Sequence, residues 1–189
     1  YAKCGKFVEA QEVFDELLVR NTVSWNVLIS GYVVHGVGMK AMGSFEVMLC
    51  EGLSPDTVTY VCILKICGIM QDLVKGKQIH YRITQENLLG KDIVLGNALI
   101  DMYVKCGDLA KAKKALEELP LQDIISWNSL ITVYSNCGEL SHAFNLFQKV
   151  QCDGTINVTP TTFVALLKAC AKAQDLIKGM EVHTSVSSS

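Results

Sequence analysis

"VSWNVLISGY" occupies Val23–Tyr32, and "ISWNSLITVY" occupies Ile125–Tyr134, 102 residues further on. In the first copy Trp25, Leu28, Ile29 and Tyr32 fall at i, i+3, i+4 and i+7; in the second Trp127, Leu130, Ile131 and Tyr134 do the same. That spacing draws one apolar stripe along an α-helix. The stripe returns at Tyr60, Ile63, Leu64 and Cys67, at Gly96, Leu99, Ile100 and Tyr103, and at Phe163, Leu166, Leu167 and Cys170. Successive starts lie 35, 36, 31 and 36 residues apart, so the longer repeat is a triplet of smaller units.

A second helix follows in each unit. Ala41, Phe45 and Met48 match Ala143, Phe147 and Val150, then Ala112, Leu116 and Leu119; the opening stretch supplies Ala10, Phe14 and Leu17. In the other two units Gly76 and Gly179 take the small position, and His80 and His183 stand where Phe stood, which predicts packed histidines. Gly5, Gly36, Gly107 and Gly138 signal turns between the helices. In "LSPD" (Leu53–Asp56), "LLGKD" (Leu88–Asp92) and "LPLQD" (Leu119–Asp123), Gly or Pro stops one helix and Asp can cap the next. The unit is therefore helix–turn–helix. Such units bury their faces against neighbours and stack into an all-α solenoid.

Composition agrees with a helical core: of 189 residues half are hydrophobic and 19% charged. The most apolar stretch, "VTYVCILKICGIM", is broken by Lys65 and falls short of the roughly 18 residues of a membrane span. A net charge of -2 carries no basic footprint, which weighs against nucleic acid on electrostatic grounds alone. The eight cysteines include no C-x-x-C pair. Cys4, Cys106 and Cys137 precede turn glycines, and Cys67 and Cys170 hold matched stripe positions; all read as small buried hydrophobes rather than metal ligands. No Ser-His-Asp arrangement, phosphate loop or carboxylate pair can be argued, so no catalytic residue, metal, cofactor or small-molecule substrate is expected. The chain begins at Tyr1 without Met and ends in "SVSSS", which reads as an internal segment of a longer protein.

The phrases "SWNVLISGY", "NALIDMYVKCGDLAKA", "FVALLKACAKAQDLIKGMEVH" and "VFDEL" strongly resemble pentatricopeptide repeats of plant organelle proteins, in the variant where standard, long and short motifs alternate. The resemblance spans the whole chain. It divides it into a partial short motif (1–21), a standard (22–56), a long (57–92), a short (93–123), a second standard (124–159) and a partial long motif (160–189). It implies a right-handed superhelical solenoid that reads single-stranded RNA at one base per repeat.

Under that resemblance, the Asn beside each stripe reads the base together with the last residue of its motif. Asn26 pairs with Asp56 and Asn97 with Asp123, a combination that implies uridine, then cytidine. Asn128 implies a pyrimidine, with either Val158 or Thr159 as its partner. Val61 and Val164 hold the reading position of the long motifs and offer no hydrogen bond. Val23, Val58, Val94 and Ile125 would sandwich bases, and Lys3 and Lys105 match a phosphate-contacting position. The implied function is recognition of organelle RNA, in mitochondrion or chloroplast, directing processing such as cytidine-to-uridine editing with editing or processing factors as partners. The H-x-E and C-x-x-C signature of a zinc cytidine deaminase is not in the sequence. The rival reading is a tetratricopeptide-like scaffold whose groove holds a peptide.

Overall fold

A computed structural model describes residues 1–89, 91–119, 124–153 and 159–187. Every regular element among them is helical. The chain divides into two compact units, residues 1–108 and 109–189.

The first unit opens with a 3-10 turn, Ala2–Cys4, and continues with α1 (Phe7–Asp15), α2 (Thr22–Val34), α3 (Gly38–Cys50), α4 (Thr57–Met70), α5 (Leu73–Gln85) and α6 (Ile93–Lys105). Helix α4 packs against α2 on one side and α6 on the other, making a layer of first helices. Helices α3 and α5 lie behind that layer, α3 against α2 and α4, α5 against α4 and α6. The second unit holds α7 (Leu109–Glu118), α8 (Ile124–Cys137), α9 (Leu140–Asp153), α10 (Pro160–Ala173) and α11 (Leu176–Ser187). There α8 packs on α7, α9 and α10, and α10 on α9 and α11.

The stripes are the core. Trp25, Leu28, Ile29 and Tyr32 are buried, as are Tyr60, Ile63, Leu64 and Cys67, and Trp127, Leu130, Ile131 and Tyr134. One aromatic joint recurs. The second-helix Phe of one hairpin meets the first aromatic of the next edge-on: Phe14 on Trp25 at 4.4 Å, Phe45 on Tyr60 at 6.5 Å, Phe147 on Phe163 at 5.9 Å between ring centroids. Edge-to-face pairs of this kind add about 0.5–1.5 kcal/mol beyond area burial. They tie neighbouring hairpins in the order of the chain.

The helix starts are set by side-chain caps. Asn21 with Ser24 and Asp56 with Thr59 close reciprocal capping boxes on α2 and α4. Asp72 caps α5 and Asp92 caps α6. Thr159 caps α10, whose first residue is Pro160. At the other ends Gly36 and Gly107 take φ of +71° and +79°. Gln71 and Gln174 do the same work in the long hairpins at φ 55°, where a side chain is strained.

Four readings of the sequence need correction. His80 is only half-buried, with Nδ1 2.8 Å from the Tyr103 hydroxyl, while Ile79 and Ile83 are sealed in its stead. The phase is set by Gly76, where an added Cβ would lie 2.4 Å from Met102 Sδ; this close approach turns Gly76, Ile79 and Ile83 inward together. His183 is likewise exposed and Val182 buried. Leu17 is exposed because α1 stops at Asp15, before the stripe reaches it. Cys4 and Cys137 are exposed, while Cys106, which also precedes a left-handed glycine, is half-buried against Met102 and the Cys67 carbonyl; Cys62, Cys67 and Cys170 are the buried ones.

Candidate functional site

Asn26 sits one residue beyond Trp25, which rotates it by about 100° off the stripe. It is nevertheless 8% exposed. Its amide is fully engaged with the start of the next hairpin. Asn26 Nδ2 donates to both carboxylate oxygens of Asp56, each at 2.9 Å, and Thr59 Oγ1 donates to Asn26 Oδ1 at 2.6 Å. Asp56 reaches this place because it is the N-cap of α4: Thr59 N donates to Asp56 Oδ1 at 2.9 Å, and Asp56 N donates to Thr59 Oγ1 at 3.2 Å. The cap and the pair are therefore one construction. Two residues 30 apart in sequence meet because a capping box holds one of them still.

The pair is charged at neutral pH. Burial pushes the Asp56 carboxyl up, but the Thr59 backbone N–H, the Asn26 amide, the Thr59 hydroxyl and the Val58 backbone N–H together outweigh it and leave the pKa below the ordinary value.

In the second unit Asn128, also 8% exposed, repeats half of this arrangement. Thr162 Oγ1 donates to Asn128 Oδ1 at 2.9 Å, and Thr159 N donates to the same oxygen at 3.3 Å. Thr159 stands where Asp56 stands, as the N-cap of the next first helix. Its hydroxyl accepts from Thr162 N and lies 2.8 Å from Thr162 Oγ1. No acceptor among the described residues reaches Asn128 Nδ2, which is buried without a partner. Val158, the other sequence-based choice, lies outside the described residues. In both hairpins a threonine hydroxyl donates to the amide oxygen, while the Asn26 nitrogen is engaged by Asp56 and the Asn128 nitrogen is buried. The sequence alone had allowed donor and acceptor equally.

The remaining expected residues divide. Val23, Val58 and Val94 hold the second position of α2, α4 and α6 and are 66%, 52% and 57% exposed, unusual for valine. Asn97 is half-buried on α6, engaged with a neighbour. Asp123 lies outside the described residues, as does the side chain of Ile125. Lys3 is exposed in the opening turn, and its carbonyl accepts from His35 Nε2. Lys105 is exposed but paired with Asp101 at 2.7 Å, so it is partly neutralised. Val61 is half-buried and Val164 half-exposed.

Two residues of the site were missed: Thr59 and Thr162, both 0% exposed. The signal was available, since the two recur 103 residues apart two places before the long motifs' Val61 and Val164. Elsewhere burial pushes the Cys67 thiol up to about 12, which leaves it an unreactive core atom. No group of three or more His, Cys, Asp or Glu suited to a metal is found among the described residues.

Family comparison agrees with this geometry. The family model for the "PPR repeat family" matches residues 20–68, and the "PPR repeat" model matches residues 1–22, 97–124 and 125–155, together more than half of the chain. A chloroplastic pentatricopeptide repeat-containing protein of Arabidopsis thaliana is 34% identical over 184 residues, 97% of this chain and 30% of its own length. A mitochondrial one from the same plant is 36% identical over 183 residues, covering 97% of this chain and 18% of its own length. The chain thus spans less than a third of these curated relatives. Among solved structures, the pentatricopeptide repeat protein PPR10 in complex with an 18-nt psaJ RNA element superposes with a TM-score of 0.72 at 20% identity, over 91% of this chain and 26% of that one. Stripe, hairpin, cap and profile converge, and this chain belongs to the pentatricopeptide repeat family.

Proposed function

We propose that the chain binds single-stranded RNA, reading one base per hairpin. The observation that carries this is the Asn26 amide: it is locked by Asp56 and Thr59, on a helix whose Val23 stands exposed three residues before it. A locked amide–carboxylate pair beside exposed apolar surface suits a flat, stacking ligand with a polar edge. A pyrimidine base is such a ligand: its face stacks, worth about 1–3 kcal/mol per base, and its O2 accepts. Asn26 with Asp56 reads uridine first and cytidine second; Asn97 with Asp123 reads likewise; Asn128 with Thr159 reads a pyrimidine. Val23, Val58, Val94 and Ile125 hold the bases from either side, and Lys3 and Lys105 meet phosphate.

The protein of which this stretch is part acts in mitochondrion or chloroplast, consistent with the compartments in its relatives' names. There it places an RNA site for processing such as cytidine-to-uridine editing. The chain itself is not the catalyst, which comes from another domain or a recruited factor. The RNA held by PPR10 supports the choice of ligand.

Fluorescence anisotropy of the chain against short single-stranded RNAs, matched duplexes and unrelated peptides tests the reading. Single strands bind best, and Asn26→Ala lowers the uridine preference at one position by about fivefold or more, the value of one hydrogen bond of about 1 kcal/mol. Equal binding of duplex, or binding of peptide alone, would put the scaffold reading in its place.

A further inference from the structure

The hydroxyls of Thr59 and Thr162 are at once the most buried polar groups of the site and the groups that decide which way each asparagine points. Resting on the RNA-reading function above, we propose that these threonines are positioning residues for base recognition: each belongs to the hairpin after the one that reads, and fixes the sense of the reading amide by donating to its oxygen. Four observations carry this. Both threonines are sealed from solvent. Both donate to the Oδ1 of the preceding hairpin's asparagine, at 2.6 Å and 2.9 Å. The contact recurs in two separate units with different partners at the capping position, Asp56 in one and Thr159 in the other. And the amide of Asn128 keeps the same sense although no acceptor among the described residues holds its nitrogen.

The last point separates cause from accompaniment. Around Asn26, Asp56 holds the nitrogen and Thr59 the oxygen, so the two act together. Around Asn128 Thr159 stands in the aspartate's place, and the orientation follows from the Thr162 hydroxyl and the Thr159 backbone N–H, both donors to Oδ1. At 2.6 Å the Thr59 proton must lie between the two oxygens, since two bare lone pairs would repel at that distance. The hydroxyl of this threonine is shared: its oxygen accepts from the Asp56 N–H of the cap, and its proton goes to the reader at 2.6 Å, with Asp56 Oδ1 2.9 Å away. Removing the hydroxyl while keeping the shape takes a donor from the amide oxygen, so the reading amide is held less firmly, by Asp56 alone at Asn26 and by the Thr159 N–H alone at Asn128. Discrimination falls while stacking remains.

Thr59→Val, Thr59→Ser and Thr162→Val are compared in the full chain. Binding is measured by anisotropy to single-stranded RNAs that differ only at the nucleotide facing Asn26 or Asn128. In Thr59→Val the uridine-over-adenine ratio facing Asn26 falls about five- to tenfold, as loss of one hydrogen bond requires, while the ratio facing Asn128 is unchanged. Thr162→Val gives the converse. Thr59→Ser keeps the ratio within about twofold, because it restores the hydroxyl. Ser24→Ala removes the equivalent capping-box hydroxyl of α2, which bonds Asn21 and no reading asparagine, and leaves both ratios alone. NMR of the Asn26 side-chain amide without RNA gives a second readout: its two protons are protected in the parent and in Thr59→Ser and exchange faster in Thr59→Val. Should the parent discriminate and Thr59→Val discriminate equally, the positioning role is overturned while base reading stands. If Thr59→Ser fails as Thr59→Val does, the hydroxyl is not the cause. A parent that prefers no base overturns both.

Discussion

At Asn26 a capping aspartate and the asparagine proposed to read a base share one carboxylate, so under that proposal stability and recognition titrate together. The Asp56 pKa is lowered in the fold from the ordinary value of 3.8. Its bonds therefore contribute stability in full above the unfolded value, and that contribution is lost as pH falls through the lower folded one. Thermal melts of the parent and of Asp56→Asn should differ by a constant amount from pH 7 down to about 5 and converge below about pH 4. A difference that vanishes already near neutrality would contradict the assigned partners. Asn128 supplies the opposite case. Its buried, unpartnered N–H costs about 1–3 kcal/mol, and Thr159→Asp offers it the acceptor that Asp56 offers Asn26. The variant is expected to melt a few degrees higher at pH 7 and to lose that gain in acid. An unchanged or lower melting temperature would mean that the nitrogen is satisfied some other way.

At the scale of the element, helices and stripes were legible because hydrophobic period and turn glycines agree: Trp25, Leu28, Ile29 and Tyr32 are core by spacing alone, and they are buried. Asp56 was legible as a cap for the same local reason. The buried face of α5 was not. "KGKQIH" offers Ile79 and His80 side by side, and the choice falls on Ile79 because Gly76 lets Met102 approach, a contact made 26 residues away. Thr59 was missed for a like reason: locally it reads as half of a capping box, and its bond to Asn26 spans 33 residues. What local chemistry determines could be read; what a distant contact decides could not. The long hairpins add a test of their own. Gln71 ends α4 at φ 55°, a conformation that strains any residue with a Cβ. Gln71→Gly should stabilise the fold by about 0.5–1 kcal/mol in denaturant melts, relief of strain exceeding the unfolded-state entropy that glycine adds. A loss of stability would show that the glutamine side chain makes a contact worth more than its strain.

For the whole molecule, a net charge of -2 sets how recognition must work. With few cations at the proposed phosphate positions, and Lys105 shared with Asp101, the proposed function places the binding on stacking and amide contacts. The dependence of log K on log salt should be shallow, a slope of about -1 to -2 for two or three phosphate contacts on a single strand. A slope of -5 or steeper would reveal a basic surface that this reading does not use. The measurement that tests base-by-base recognition most directly is a change of letter. The chain carrying Asn26→Thr with Asp56→Asn is titrated beside the parent against single-stranded RNAs varied one nucleotide at a time. The pairing rule of the family predicts that the preference moves from uridine to adenine at the nucleotide facing that hairpin, and nowhere else. Undiminished binding with uridine still preferred there would contradict it.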